Sequence, residues 1–178
     1  WPARYIELLL SHFPQGRWLQ GIRVVVDCAN GAMSRVAPAA LSQIGAELVV
    51  INNEPSGTNI NAGCGAVHLE SLTAAMKQHK ADLGVAWDGD FDRCFLFDEH
   101  GGFIEGYYIV GLLAEAMLKL HPGAKIIHDP RLTWNTIDVV KGNGGTPVLS
   151  KSGHAFMKAR MRAENGVYGG EMSAHALE

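Results

Sequence analysis

Short apolar runs rich in β-branched residues, each followed by a turn and a helical pattern, constrain this chain most. The runs of strand length are IRVVVD, AELVVI, ADLGVAW, AKIIHD and TPVLS. Segments with helical spacing of apolar residues lie between them, for example residues 67–80 and 107–120. Strands that alternate with helices in this way predict an α/β fold with a parallel or mixed sheet.

The strand–helix pattern restarts after the turn DEHGG, so we place a domain boundary at Gly101-Gly102. This predicts two similar α/β domains, over residues 1–102 and 103–178, each with a mixed, largely parallel sheet flanked by helices. A chain of 178 residues, 47% of them apolar, is long enough for two small domains with buried cores.

Charge and composition argue against several classes of protein. The net charge of −3 disfavours a broad basic face for nucleic acid. No apolar run reaches the roughly 18 residues of a membrane span, and residues 1–10 lack the charged region of a secretory signal. The three cysteines are an odd number without CxxC spacing, which favours neither a zinc site nor a disulfide framework. We therefore expect a cytoplasmic protein whose partners include neither nucleic acid nor membrane.

The ends of the sequence indicate an excised part of a longer protein. The chain opens on Trp1-Pro2 without a methionine. It closes on Ala176-Leu177-Glu178, which is typical of a vector-derived tail. We expect a fragment with tag residues at its C-terminus.

Three aspartates alternate directly after the third predicted strand: Asp88, Asp90 and Asp92. In α/β sheets, functional loops lie at the carboxyl ends of strands. Carboxylates this close repel one another, and oxygen ligands suit hard cations such as Mg²⁺, Ca²⁺ or Mn²⁺. The pattern therefore predicts a divalent-cation site, on a loop that Gly89 allows to turn tightly.

Two other interpretations of these aspartates stay open. One is a solvated acidic turn, which the strongly apolar flanking strands disfavour. The other is a calcium loop of the EF-hand type, because the three aspartates and Glu99 fall at its positions one, three, five and twelve. That loop needs glycine at position six, where this chain has Arg93, and the segment CFLF is typical of a strand.

Arg93 points to the nature of the ligand. A guanidinium does not bind a metal ion; it binds carboxylate or phosphate through two parallel donors. A hard cation beside an arginine therefore indicates a phosphate that bridges the two. The alternative is an ion pair within the loop.

A second polar motif, GGEMSAH, lies near the C-terminus. Glu171, Ser173 and His175 are two residues apart, so an extended segment would point their side chains the same way. An acid, a hydroxyl and an imidazole on one face suit sugar hydroxyls. Taken alone, the motif is explained equally well by a capped turn.

Together, DGDFDR and GEMSAH resemble the motifs of the α-phosphohexomutase superfamily. The resemblance covers essentially the whole chain, as the second and most of the third domain of such enzymes. Within the family, WDGDFDRCFLFDEHGG and IIHDPRLTWNT look most like the bacterial phosphomannomutases. The resemblance implies a phosphoglucomutase-like fold and an isomerase that interconverts hexose 6-phosphate and hexose 1-phosphate, with mannose as the expected sugar.

The resemblance also implies three groups of functional residues. The ligands of a catalytic Mg²⁺ would be Asp88, Asp90 and Asp92. The catalytic residues at the transferring phosphate would be Arg93 and Arg131. The substrate-binding residues would be His154, Glu171, Ser173 and His175.

The mechanism that the resemblance implies needs more than this chain. In the family, a phosphoserine donates its phosphoryl group to the sugar, and the resulting bisphosphate returns its other phosphate to the serine. Mg²⁺ acts as a Lewis acid at the developing charge. The serine lies in the first domain and a phosphate-clamping loop in the fourth, so the expected partners are domains I and IV of the parent enzyme and a phosphorylated hexose. The fragment alone is expected to be inactive.

Departures from the family pattern leave the sugar open. Ala174 replaces the glycine common in this motif, and NINAGCGAVHLE is more similar to the loop of phosphoglucosamine mutases. Those enzymes usually carry Gln where this chain has Met172. Phosphoglucomutase or phosphoglucosamine mutase specificity remains an alternative, as does a non-catalytic module that binds metal or sugar phosphate.

Overall fold

The structure is a computed structural model that describes residues 2–13, 16–172 and 176–177. Its contacts divide the chain into two compact units, Trp1–Phe103 and Ile104–Glu178. Each unit contains a mostly parallel sheet flanked by helices, which confirms the predicted α/β class.

Among the described residues, the first unit has three α-helices, two short 3₁₀ helices (Ala32–Ser34 and Gly65–Val67) and five strands in its sheet. The α-helices are α1 (Pro2–Ser11), α2 (Ala37–Gln43) and α3 (Glu70–His79). The strands are β1 (Arg23–Asp27), β2 (Glu47–Ile51), β3 (Leu83–Trp87), β4 (Cys94–Phe97) and β5 (Phe103–Ile104). The strand order is β2-β1-β3-β4-β5, in which β1, β2 and β3 are parallel and β4 is antiparallel to β3.

Strand β1 supplies side chains to the cores on both faces of this sheet. Val24 and Val26 lie in one apolar cluster with Ala37 of α2. Val25 lies in another cluster, with Leu72 of α3. Strand β1 is apolar on both faces because each face is covered by a helix, as expected for a central parallel strand.

A tight turn extends the first sheet past the expected domain boundary. The Asp98 N–H donates to the carbonyl of Gly102 at 2.9 Å. Asp98 Oδ1 accepts the N–H groups of His100 at 3.0 Å and Gly102 at 2.7 Å. This turn places residues 103–104 beside β4 as strand β5, so they complete the first sheet, although the sequence analysis begins the second domain at residue 103.

The second unit has the same order of elements. Its helices are α4 (Gly106–Leu120), α5 (Trp134–Gly142) and α6 (His154–Glu164). Its strands are β6 (Lys125–His128), β7 (Thr146–Leu149), β8 (Tyr168–Gly170) and β9 (Ala176–Leu177). The order β7-β6-β8-β9 corresponds to β2-β1-β3-β4, again with three parallel strands followed by an antiparallel one. The two halves therefore share a topology.

Helices also cover both faces of the second sheet. Val110 of α4 and Val140 of α5 lie in one apolar cluster with Ile126. Ile127 packs with Met157 of α6 in a second cluster. The longest helix, α4, has 15 residues, and no helix within the described ranges is long and apolar enough to span a bilayer.

Core packing of α3 gives a direct test of the first unit. Leu72→Ala is expected to lower the free energy of unfolding by about 2–5 kcal/mol, because Leu72 is 0% exposed. The matched control is Leu8→Ala in α1, where the side chain is 58% exposed and the expected change is within about 0.5 kcal/mol. Urea unfolding followed by tryptophan fluorescence measures both, and equal losses for the two variants would contradict the described packing.

The cysteines of the first unit are predicted to be unreactive. Burial, helped by the charge of Asp27, raises the pKa of Cys28 to about 12 and also raises that of Cys64. Burial raises the pKa of Cys94 to about 11. Because the thiolate is the reactive form, we expect negligible labelling by dithionitrobenzoate at pH 8 in the folded chain and three labelled thiols in urea. Fast labelling without urea would contradict this.

The same shifts predict a loss of stability in alkali. Below pH 9, the ordinary value for these thiols, the folded and unfolded chains both keep the Cys28 proton. Between pH 9 and about 12 the unfolded chain loses this proton first, so the free energy of unfolding should decrease as the pH rises. Urea midpoints from pH 8 to pH 10.5 measure the slope, which Cys28→Ala should reduce.

Candidate functional site

The three aspartates lie on residues 88–93, the loop that joins β3 to the antiparallel β4. The loop starts at the carboxyl end of β3, on the edge of the sheet where the parallel strands β1 and β2 also end. One carboxylate oxygen from each of Asp88, Asp90 and Asp92 can be chosen so that all three lie within 4.8 Å of one another. The three carboxylates therefore converge.

Asp88 is the buried member of this group. Its side chain is 6% exposed, against 49% for Asp92. Its Oδ1 accepts the N–H of Arg93 at 3.1 Å. Burial raises the pKa of Asp88, a hydrogen bond to Asp92 and the charges of Asp92 and Asp90 raise it further, and the Arg93 N–H opposes the shift. A cation bound here would offset both the lost hydration and the repulsion.

Arg93 folds back onto the aspartates. Its Nε lies 3.3 Å from Asp88 Oδ2 and 3.6 Å from Asp92 Oδ1. The ion pair within the loop, which the sequence left as an alternative, is therefore formed. The Arg93 side chain is still 43% exposed, so its guanidinium borders solvent as well as the carboxylates.

Gly89 is needed for close packing and not for its own backbone conformation. The residue of this loop with a positive φ is Phe91, at +69°, and its ring centroid lies 5.5 Å from that of Trp87. A Cβ on Gly89 would collide with the side chains of Ile60 and Asn61. The sequence predicts that Gly89 is needed for a tight turn of the backbone, and this reason is wrong. The glycine is needed because a side chain at this position would occupy the space of the neighbouring loop.

The long loop after β2 packs against the aspartate loop. The Asn61 N–H donates to the carbonyl of Ala29 at 3.0 Å, and the Ala32 N–H donates to the carbonyl of Gly89 at 3.0 Å. An open cleft of about 450 Å³ lies between the two loops and is lined by Ile60, Asn61, Asp88, Gly89, Asp90 and Arg93. The turn after β1 thus connects both sides of the cleft.

Asp27, at the end of β1, holds these loops to the sheet through hydrogen bonds. It is 0% exposed at the end of β1. Its carboxylate accepts the N–H groups of Ala29 and Gly65, both at 2.9 Å. It also accepts Asn52 Nδ2 at 3.0 Å and the Ser71 hydroxyl at 3.3 Å. Asp27 is not among the residues predicted from the sequence, although an acid that ends an apolar strand before a turn is a detectable signal.

In the second unit, the candidate residues follow the corresponding strand ends. Arg131 comes shortly after β6, His154 opens α6 after β7, and Glu171 follows β8. Ser173 and His175 lie outside the described residues. The first three share one edge because β6, β7 and β8 are parallel.

Asp129, which the sequence analysis did not single out, holds Arg131. Asp129 is 0% exposed. Its Oδ1 accepts the Arg131 N–H at 2.7 Å, and its Oδ2 accepts Nε at 3.1 Å and Nη2 at 2.5 Å. The hydrogen bond to Asp129 raises the pKa of Arg131, so the guanidinium keeps its charge. Its side chain is 51% exposed.

Glu171 is built into the fold. It is 3% exposed, and its carboxylate accepts the N–H of Gly153, the residue before α6. A negative charge is favourable at the start of a helix. This capping contact fixes the start of α6, where the exposed His154 lies. A contact between Glu171 and sugar hydroxyls stays a prediction.

The oxygen donors of the aspartate loop fit a hard divalent cation such as Mg²⁺, because three carboxylates converge there and one of them is buried. The loop does not have the geometry of an EF-hand. Antiparallel strands flank it instead of helices. Glu99, at the twelfth position, is 64% exposed and lies beyond β4, near His100.

Comparison with known families gives a match for each unit. Residues 3–102 match "Phosphoglucomutase/phosphomannomutase, alpha/beta/alpha domain II", and residues 105–177 match domain III of the same family. A phosphomannomutase of Salmonella montevideo is 55% identical over 179 residues, which cover 96% of this chain and 39% of that protein. The chain therefore spans about two fifths of the length of the curated relatives it matches.

Solved structures have the same fold. A phosphoglucomutase/phosphomannomutase family protein from Burkholderia thailandensis matches 98% of this chain with a TM-score of 0.87 and 31% identity, over 38% of its own length. The N-acetylphosphoglucosamine mutase of Aspergillus fumigatus, solved with GlcNAc-6P and magnesium, matches 87% of this chain and 35% of its own, with a TM-score of 0.65 and 18% identity. The latter likeness shows the fold alone. Because both units match consecutive domains of one family, and a phosphomannomutase is 55% identical across them, the chain belongs to the phosphoglucomutase/phosphomannomutase family.

Proposed function

We propose that this chain is the metal-binding and sugar-binding part of a phosphohexomutase that interconverts hexose 6-phosphate and hexose 1-phosphate, with mannose phosphate as its substrate. The convergence of Asp88, Asp90 and Asp92 beside Arg93 carries the proposal. An acidic cluster and a guanidinium together can bind a cation and a phosphate side by side. The activity belongs to the full-length protein, and we expect the chain alone to be inactive.

In the first unit, the aspartate loop would hold Mg²⁺ through Asp88, Asp90 and Asp92. When bound, the cation supplies Lewis-acid stabilisation to a transferring phosphoryl group. Arg93 is paired with Asp88 and Asp92 yet 43% exposed, so it can exchange a carboxylate partner for a phosphate oxygen. The magnesium in the Aspergillus fumigatus complex supports this choice of ion.

In the second unit, the edge after β6, β7 and β8 would bind the sugar phosphate. Arg131 presents a half-exposed, permanently charged guanidinium to the phosphate. His154, Glu171, Ser173 and His175 are proposed as contacts of the sugar, the last two from the sequence motif alone. The same proposal includes a phosphoserine in the first domain of the parent protein, with domains I and IV as partners of this chain. It also includes a cytoplasmic location.

A non-catalytic module that binds metal or sugar phosphate is the second candidate. It is favoured by the ion pairs of Arg93, which balance part of the acidic charge without any other domain. Calorimetric titration of the isolated chain distinguishes the two, because submicromolar Mg²⁺ affinity would indicate a self-sufficient binding module. The sugar is settled by assays with the 1-phosphates of mannose, glucose and glucosamine.

Loss of one metal ligand should abolish most of the activity. In the full-length protein, Asp90→Asn is expected to lower kcat with mannose 1-phosphate by on the order of 10²–10³-fold, because it removes a charged oxygen ligand. A chelator should inhibit the wild type, and added Mg²⁺ should restore it. The rate of mannose 6-phosphate formation, followed in a coupled enzyme assay, measures these effects.

Glu99→Gln is the matched control, because it removes an exposed acid from the same hairpin. Its kcat should stay near that of the wild type. Turnover that resists both chelation and Asp90→Asn would contradict the proposal. Loss of metal binding in Glu99→Gln would favour the calcium loop.

Arg93→Gln is expected to change metal affinity and catalysis in opposite directions. Removal of the guanidinium leaves Asp88 and Asp92 without their positive neighbour, so Mg²⁺ should bind the isolated chain about two- to fivefold more tightly, the size expected of a partly exposed ion pair. The activity of the full-length protein should fall by on the order of 10²-fold, because the phosphate loses a charged donor.

Calorimetry on the chain and the coupled assay on the full-length protein measure the two effects. Arg4→Gln, in the exposed part of α1, makes the same change in net charge and should alter neither quantity. Weaker Mg²⁺ binding by Arg93→Gln would show instead that the guanidinium organises the carboxylates.

A further inference from the structure

We propose that Asp129 is a positioning residue that orients the guanidinium of Arg131 and the backbone of Met172 at the sugar-phosphate edge of the second unit. The inference rests on the proposed function, which assigns Arg131 to the phosphate. Asp129 itself is 0% exposed, so it acts through these two neighbours and not by contact with substrate.

Four N–H groups converge on the carboxylate of Asp129. Three belong to Arg131: its backbone N–H at 2.7 Å, Nε at 3.1 Å and Nη2 at 2.5 Å. The fourth is the backbone N–H of Met172, at 3.3 Å. One of these donors meets Oδ1 and the other three meet Oδ2, so both oxygens of the buried carboxylate are hydrogen-bonded. A buried carboxylate supplied in this way is costly to disturb, and its donors are therefore held in place.

The contact uses one particular edge of the guanidinium. Nε and Nη2 of Arg131 both donate to Asp129 Oδ2, so the adjacent edge, formed by Nη1 and the second N–H of Nη2, is not used by Asp129. The guanidinium is planar, so fixing one edge fixes the direction of the other. The side chain is 51% exposed, which leaves room for a phosphate at the outer edge. Bidentate binding of phosphate needs this kind of preset orientation.

The first unit provides an internal comparison. Asp27 occupies the same place at the end of the central strand and also accepts the N–H two residues later, from Ala29 at 2.9 Å. Its other partners are Asn52, Gly65 and Ser71, all of them uncharged parts of the fold. The turn is therefore common to both units, whereas the half-exposed guanidinium is a partner of the second unit's aspartate.

The bond to Met172 links Asp129 to the motif GEMSAH. Met172 directly follows Glu171, whose buried carboxylate caps the start of α6 through Gly153. The charge of Glu171 also acts on Arg131. One carboxylate thus connects the proposed phosphate contact with the segment proposed to contact the sugar.

A double-mutant cycle in the full-length protein tests whether Asp129 acts through Arg131. Asp129→Asn alone should lower kcat/KM for mannose 1-phosphate by about 10–100-fold, the usual cost of losing a residue that orients a functional group. In the Arg131→Ala background, the same change should cost at least threefold less, because only the hydrogen bond from Met172 remains to be lost. An equal loss in both backgrounds, or no loss in the wild type, would overturn the proposal.

Glu164→Gln is the matched control for Asp129→Asn, because it also removes an acid that pairs with a basic side chain in the second unit. It removes the ion pair to Lys125, 2.7 Å long, on the last turn of α6. It is expected to leave kcat/KM within about twofold of the wild type. A loss as large as that of Asp129→Asn would overturn the assignment of a specific positioning role.

A measurement on the 178-residue chain separates this inference from the proposed function, because it does not depend on enzymatic activity. In ¹H–¹⁵N NMR spectra, the Nε–H of Arg131 is expected to exchange with water at least tenfold more slowly than that of the exposed Arg4. Asp129→Asn should remove this protection. Exchange at the rate of Arg4 in the wild type would overturn the proposal. Slow exchange that Asp129→Asn abolishes would support positioning even if the full-length protein isomerised no phosphohexose.

Discussion

In each unit, the positions of the loops depend on hydrogen bonds to one buried carboxylate at the carboxyl end of the central strand. Burying a charged group costs free energy unless hydrogen-bond donors surround it. Moving one of these donors away would restore that cost, so the donors are held in place. Asp27 collects donors from the turn after β1, the long loop after β2 and helix α3. Asp129 collects them from Arg131 and from the residue that follows Glu171. The loops that carry the candidate residues are thereby fixed to the sheet.

Each unit also pairs an arginine with a buried aspartate next to its candidate residues. Arg93 lies against Asp88, and Arg131 lies against Asp129. In both pairs the acid is nearly or fully buried while the guanidinium is about half exposed. The pairing keeps a positive charge at the surface, beside acidic side chains. The two pairs follow different strands, β3 in the first unit and β6 in the second, but both lie at the carboxyl edge of parallel strands.

Much of the fold could be predicted from local patterns. The strands β1 to β4, β6 and β7 coincide with apolar runs bounded by turn residues, and the alternation with helices indicates the α/β class. Helix α1, from Pro2 to Ser11, was not predicted, because its apolar spacing is short and nothing next to it completes a strand–helix unit. The pairing of residues 103–104 with β4 as strand β5 is a feature of the sheet that no local pattern on either side of the turn predicts.

In the candidate site, too, some features are predicted by the sequence and others depend on tertiary packing. Local sequence patterns predict most elements and their order, the acidic loop after a buried strand, and the functional chemistry of Arg93 and Glu171, whereas Arg131 was singled out by the resemblance to a known family. The local predictions follow from hydrophobic periodicity and residue chemistry, which act over a few neighbours in the chain. Three features depend instead on tertiary packing: the burial of Asp88, the close approach of Ile60 and Asn61 to Gly89, and the hydrogen bonds from Arg131 to Asp129. Burial and hydrogen bonding depend on segments far apart in sequence, such as residues 129 and 172, which meet only when the sheet has brought the ends of its strands together.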